Sequence, residues 1–308
     1  MAKLKANPIT AADLKKYSAT YSDFAFEMRT LKQLNDLRFK CLHSGTYQDP
    51  VTLKTREFDI RAKKQIAERL HVFLSIECKN LQASYPLVVH SVKRRREEAF
   101  HQILCVPAKK RDVSIDTGIG ISVLQNPLET IFDRTPFPIQ FAHLQTPFSK
   151  EEWVGKSMDQ VGIETNDELR TGDAVVFDKM SQAINSAYGL LEEVGDVSLA
   201  KEPQYFSVHP ILVIPDGTLW SIQYDENGNT LGEPQTAAHI SYYVHKEWNV
   251  GKGPSQFAFA LSHIELVTSS GLLPLLKRYY LDEDDPPQMF GPTEELDAAF
   301  ERHLEKDA

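Results

Sequence analysis

The chain has 308 residues, 42% of them hydrophobic, enough to bury a full core as one large domain or as one domain with an appendage. No run of eighteen apolar residues exists, Met1 to Pro8 lack the apolar stretch of a signal peptide, and Cys41, Cys78 and Cys105 are too scattered for a disulfide framework or a zinc site, so the expectation is a soluble, cytoplasmic protein without membrane contact. The net charge of −9 is unevenly spread: residues 1–111 hold 22 Lys plus Arg against 11 Asp plus Glu, residues 112–280 hold 10 against 22, and residues 281–308 hold 2 against 10.

In chain order, residues 1–10 read as a loose arm, and Ala11 to Ala25 as a short helix with Thr10 or Asp13 near its start. Phe24 to Cys41 has helical spacing, with Leu31, Leu34 and Cys41 on one stripe, and predicts a helix over 26–43. Glu27 lies on that stripe one turn before Leu31. A carboxylate on the buried face of a helix is costly unless a cation or hydrogen-bond donor meets it.

Three strands are expected over 45–79. Asp49-Pro50 reads as a turn opener. Thr55 to Ala62 then alternates, with Phe58, Ile60 and Ala62 on one face and Glu57, Asp59 and Arg61 on the other. His71 to Asn80 alternates as well: Val72, Leu74, Ile76 and Cys78 form a wholly apolar face, while Phe73, Ser75, Glu77 and Lys79 share the opposite one. Asp59 and Glu77 can then face each other across neighbouring strands. With Glu27 they make three acids converging beside Lys79. Carboxylates so placed repel unless something positive sits between them, and a divalent cation with oxygen ligands is the usual answer.

An acid on a first helix, a hairpin with an Asp on its second strand, and an apolar strand ending in Glu77-Cys78-Lys79 resemble the PD-(D/E)xK nuclease superfamily. The resemblance covers about the first eighty residues by motif order, with Phe58 where the superfamily's name has proline. It implies an α/β restriction-endonuclease-like core (helix, three-strand meander, helix, strand) carrying a strand-rich C-terminal extension. It also implies a Mg²⁺-dependent endonuclease, with Mn²⁺ able to substitute, hydrolysing phosphodiester bonds in nucleic acid, DNA before RNA, in a restriction, defence or repair role. Asp59, Glu77 and the backbone carbonyl of Cys78 would bind the metal, Glu27 would hold a second metal or its water shell, and Lys79 would orient or deprotonate the attacking water. Symmetric duplex cutting would make a homodimer natural. The alternative is a nuclease-like fold that binds nucleic acid or a partner protein without catalysis. A third reading is a structural carboxylate–lysine pair in an unrelated α/β protein, without metal.

Beyond Asn80, Pro86 to Val92 is an apolar run, and Lys93, Arg94, Arg95 and Arg96 open an expected amphipathic helix that either tracks a phosphate backbone or is simply a solvated face. Lys109, Lys110 and Arg111 form a second basic cluster, which the basic balance of residues 1–111 also ties to nucleic-acid contact. Residues 112–150 read as an irregular insertion. Gly118-x-Gly120 lacks the third glycine of a dinucleotide fingerprint, and Lys150 stands where a phosphate loop ending at Ser157 needs its first glycine.

Asp173 to Glu193 is the strongest helix, with Val176, Phe177, Met180, Ile184, Ala187 and Leu191 as its apolar face. The resemblance implies that this helix offers a Gln or Lys to the site, which singles out Gln182 and, after it, Lys179. Strands are expected at Phe206 to Ile214, Leu219 to Tyr224, Ala237 to Trp248 and His263 to Thr268, then a helix over Gly271 to Tyr280. Histidines 209, 239, 245 and 263 fall singly along the expected strands and read as hydrogen-bonded structure. The expected organisation is a core over 1–200 with an irregular insertion near 81–150, a strand-rich part over 201–280 that completes or extends the core sheet, and an acidic tail over 281–308 with one helix at Thr293 to Leu304.

Overall fold

The computed structural model describes residues 7–107, 136–142, 146, 148, 151–195, 202–251, 253, 256–281 and 293–306. The basic cluster Lys109, Lys110 and Arg111, the Gly118-x-Gly120 segment, most of the 112–150 insertion and the start of the acidic tail lie outside the described residues. The architecture is mixed α/β. Among the described residues no helix is long and apolar enough to cross a membrane.

Helix α1 (Ala11–Thr20) starts at a reciprocal cap: Thr10 Oγ1 accepts from the Asp13 amide, and Asp13 accepts from the Thr10 amide at 2.9 Å. It buries none of its residues. Helix α2 (Phe24–Asp36) buries Phe26, Thr30 and Leu34. It ends seven residues before the predicted boundary of 43. Arg38 enters the left-handed region at φ 61°, and Lys40–Gln48 becomes strand β1, paired with β2 (Thr55–Gln65) from Lys40↔Lys63 to Gln48↔Thr55. Long-range strand pairing overrides the local helical spacing there.

Asp49 opens the β1–β2 turn as predicted, its Oδ1 accepting from the amides of Val51 and Thr52 at 3.0 and 2.7 Å. Strand β3 (Leu70–Cys78) pairs antiparallel with β2. It pairs in parallel with β9 (Gln204–Ile214), from Leu70↔Tyr205 to Cys78↔Val213. Between them in sequence come β4 (Leu87–Lys93), β5 (Phe100–Val106), β6 (Phe137–Ala142), β7 (Trp153–Ile163), β8 (Leu169–Gly172) and helix α3 (Ala174–Gly195).

The amphipathic helix expected after the basic run does not form. Lys93 ends β4, Arg96–Glu98 is a single 3₁₀ turn, and the apolar residues beyond it form β5, paired with β6 and β9. Phe100, Ile103, Leu104 and Cys105 are all buried, because strand partners on both sides, β6 and β9, decide a segment whose local spacing also suits a helix.

The chain continues through β10 (Leu219–Tyr224), β11 (Gln235–Thr236), β12 (His239–Val250), β13 (Phe257–Thr268), α4 (Ser269–Leu276) with a π turn at Lys277–Leu281, and α5 (Thr293–Lys306). The described strands join one 13-stranded sheet in the order β1-β2-β3-β9-β13-β12-β7-β4-β10-β11, with β5, β6 and β8 attached at its sides.

Two cores lie on opposite faces of β3, as its alternation requires. Val72, Leu74, Ile76 and Cys78 pack with Phe26 and Leu34 of α2, Leu272 of α4 and Leu296 of α5. Phe73 packs on the other side with Phe206, Leu212 and the Val176, Met180, Ala187 and Leu191 stripe of α3. Each fully buried aliphatic side chain contributes about 1.5–3 kcal/mol, so these four helices are pressed firmly onto the strands. Ser75 Oγ donates to the Ala183 carbonyl at 2.8 Å, and Arg61 donates to the Ser186 carbonyl at 2.9 Å. These bonds fix how far along β2 and β3 helix α3 lies.

Candidate functional site

The placement of α3 brings one polar side chain over the middle of β2 and the end of β3. Lys179 Nζ lies 2.8 Å from Glu77 Oε2 and 3.0 and 3.1 Å from the two carboxylate oxygens of Asp59. Asp59 and Glu77 are neighbours across the β2–β3 pair: the Asp59 amide donates to Glu77 Oε1 at 3.3 Å, and the Cys78 amide donates to Asp59 Oδ2 at 2.7 Å. The two predicted acids therefore do converge. The cation between them comes from α3.

Glu77 is almost wholly buried, and that burial, reinforced by the charge of Asp59, pushes its carboxyl up to about 8 against the opposing pull of Lys179. Burial alone would lower the Lys179 ammonium, but Glu77 and then Asp59 outweigh it and hold it above the ordinary lysine value. Glu27 on α2 is raised as well, by burial first and by Asp59 second, which places its charge within range of the same pair. Its carboxylate is turned to His43 of β1, whose Nε2 lies 3.0 Å from Glu27 Oε2. The three acids do not close on one point: among the described residues no three His, Cys, Asp or Glu side chains form a ready-made metal-binding group.

Lys79 points away from this centre. Its ammonium lies 2.8 Å from Asp23 Oδ2, while the next amide, of Asn80, donates to Asp23 Oδ1 at 2.7 Å. The end of β3 is thereby latched to the start of α2. Gln182 is not at the centre either: its amide donates to Asp178 at 2.9 Å on the exposed side of α3.

The basic run is largely engaged within the protein. Arg94 is buried, donating to His263 and to the carbonyl and carboxylate of Glu151. Lys93 pairs with Glu152 at 3.1 Å and Arg95 with Glu98 at 2.9 Å. Arg96 is exposed. The histidines on the strands are hydrogen-bonded: His209 to Ser207, His239 to Glu265, His263 to Arg94, and His245 to Tyr243.

Three residues carry more weight here than the sequence alone assigned them: Lys179, ranked behind Gln182, and Asp23 and His43, not singled out at all. Helical spacing puts Lys179, Gln182 and Ser186 on one side of α3, which was a signal for the first but did not separate it from Gln182. Asp23 and His43 become neighbours of the site only through the α2–β1–β3 packing.

No protein-family model, no curated protein and no solved structure matches this chain.

Proposed function

We propose that the chain is a metal-dependent nuclease hydrolysing phosphodiester bonds, in DNA before RNA, on a restriction-endonuclease-like core. The observation that carries this reading is the pairing of half-buried Asp59, within β2, with buried Glu77, near the end of β3, both held by a single ammonium. Two carboxylates so close are an expensive arrangement unless they serve a cation. The element order supports the same reading: α2, the β1–β2–β3 meander, α3, then β9 parallel to β3.

The donor set fits a hard divalent ion. Asp59, Glu77 and the Cys78 carbonyl offer oxygen only, and Glu27 stands within electrostatic reach. When bound, Mg²⁺ would lower the pKa of a water and stabilise charge growing on the scissile phosphate. The rest falls to this chain's own groups. Asp59 and Glu77 fix the ligand geometry, because their backbones are locked in paired strands. Lys179 offers an ammonium on the carboxylate pair, from which it can reach the charge that builds on the phosphate, and Glu27, hydrogen-bonded to His43, supplies a further carboxylate nearby.

Cleavage assays on Lys79→Ala and Lys179→Ala test the assignment of the lysine. Loss in Lys179→Ala with retention in Lys79→Ala places the chemistry on α3. The reverse result returns it to the Glu-x-Lys strand, and metal-independent or absent cleavage by the wild type sinks the proposal.

One observation favours the second reading, a non-catalytic nucleic-acid- or partner-binding protein: Lys179 already neutralises part of the carboxylate charge without any metal. That reading predicts DNA binding that is indifferent to Mg²⁺ and to Asp59→Asn.

A further inference from the structure

We infer that Lys179 is the resident counter-ion of the carboxylate pair, and that a divalent cation takes the site only by displacing it. The inference rests on the reading of Asp59 and Glu77 as metal ligands. An ammonium has three donors and no acceptor. The Lys179 contacts at 2.8, 3.0 and 3.1 Å all go to these two side chains, so its capacity is spent on them. A Mg²⁺ ion needs oxygens at about 2.0–2.1 Å, and any position bridging Asp59 and Glu77 at that range lies on or against the place the ammonium fills. Two cations cannot share it.

The helix itself cannot retreat to make room. Val176, Met180 and Ala183 on either side of Lys179 are buried, and Ser75 and Arg61 bond the α3 carbonyls one and two turns on. The adjustment must fall on the Lys179 side chain. It is 19% exposed, and Val175, one turn earlier on the same side of the helix, is exposed, so an exit to solvent is open. Lys79 does not compete for the site, since Asp23 holds it. A single residue then has two positions: on the carboxylates in the metal-free chain, and released as a free ammonium beside the metal once it loads, where an anionic phosphate can recruit it.

Calorimetric titration with Mn²⁺ alone, on the wild type, Lys179→Met and Lys179→Arg, tests this. Removing the charge at near-constant length should tighten Mn²⁺ binding about tenfold or more, whereas Lys179→Arg, which keeps the charge, should bind no tighter than wild type. A second measurement needs no variant: amine acylation of the wild type, read by peptide mass spectrometry. Labelling of Lys179 should rise several-fold when Mn²⁺ saturates the site, while labelling of Lys79 stays level.

If the wild type binds Mn²⁺ and cuts DNA but Lys179→Met binds no tighter, or Lys179 labelling does not respond to metal, the inference is wrong and the nuclease reading stands. Equal tightening in Lys179→Arg also overturns it, because the effect is then not one of charge. If neither wild type nor Lys179→Met binds Mn²⁺ and neither cuts, both the inference and the nuclease reading fall.

Discussion

Lys79 donates to Asp23, 2.8 Å away at the start of α2, and not to Glu77 two residues before it. Because the Asn80 amide and the Asn80 side chain bind the same α1–α2 junction, the pair acts as a latch between β3 and α2. Both side chains are about four-fifths buried, so the bond is less screened than a surface ion pair. Asp23→Ala should lower stability by about 1–2 kcal/mol in urea unfolding. A double-mutant cycle with Lys79→Ala should show a coupling of at least about 0.5 kcal/mol, and strict additivity would remove the latch.

Glu77 gives a pH dependence of definite sign. Burial first, and the Asp59 charge second, raise its carboxyl from 4.5 to about 8 in the folded chain. A raised carboxyl contributes stability that is full below its unfolded value and is lost as pH rises through the folded one. The metal-free protein should therefore lose stability between about pH 5 and 8, and Glu77→Gln should flatten that part of the curve. Urea midpoints across this range decide it. An unchanged slope in the variant would assign the loss to other groups.

The buried histidines act in the opposite sense. Burial pushes His101 down to about 3 and His209 and His263 well below their ordinary value. The stability tied to these neutral rings is full above about pH 6.5 and is lost as pH falls below it, because the unfolded chain takes up the protons. Acid unfolding should start below about pH 6.5 with proton uptake approaching one per ring. His209→Asn should make the acid limb shallower, and calorimetric unfolding at pH 5 and 6.5 reads the difference.

Gly45 is required by its neighbour rather than by its backbone. A Cβ there would sit 2.4 Å from Phe58 Cζ, and Phe58 is buried beneath the Arg61 guanidinium. Gly45→Ala should cost about 1–3 kcal/mol by overpacking beside Asp59. A neutral effect in thermal unfolding would mean that the Phe58 ring has another rotamer open to it.

The pairing of Asp59 with Glu77 was legible because a period of two fixes which side chains share a strand face, and both strands were recognisable from their apolar alternation. The division of β3 between two cores was legible for the same reason. The lysine was not. Grouping Lys179, Gln182 and Ser186 on one side of α3 was possible from spacing, yet only the bonds from Ser75 and Arg61 to α3 set which turn of the helix stands over the carboxylates. That register is a long-range packing outcome with no local signature. The early end of α2 at Asp36 and the strand formed by Phe100–Val106 escaped for a related reason, since partner strands decided segments whose local spacing also suited a helix.

Cleavage of supercoiled, linear and branched DNA in Mg²⁺, Mn²⁺ or chelator, wild type beside Asp59→Asn, decides whether the carboxylate pair is a nuclease centre. A metal-dependent nuclease built on Asp59 and Glu77 should cut in either metal, not in chelator, and lose at least about a hundredfold in the variant. Cutting that survives chelation or the Asp59 substitution, or no cutting of any substrate together with no metal-induced rise in melting temperature, would contradict it.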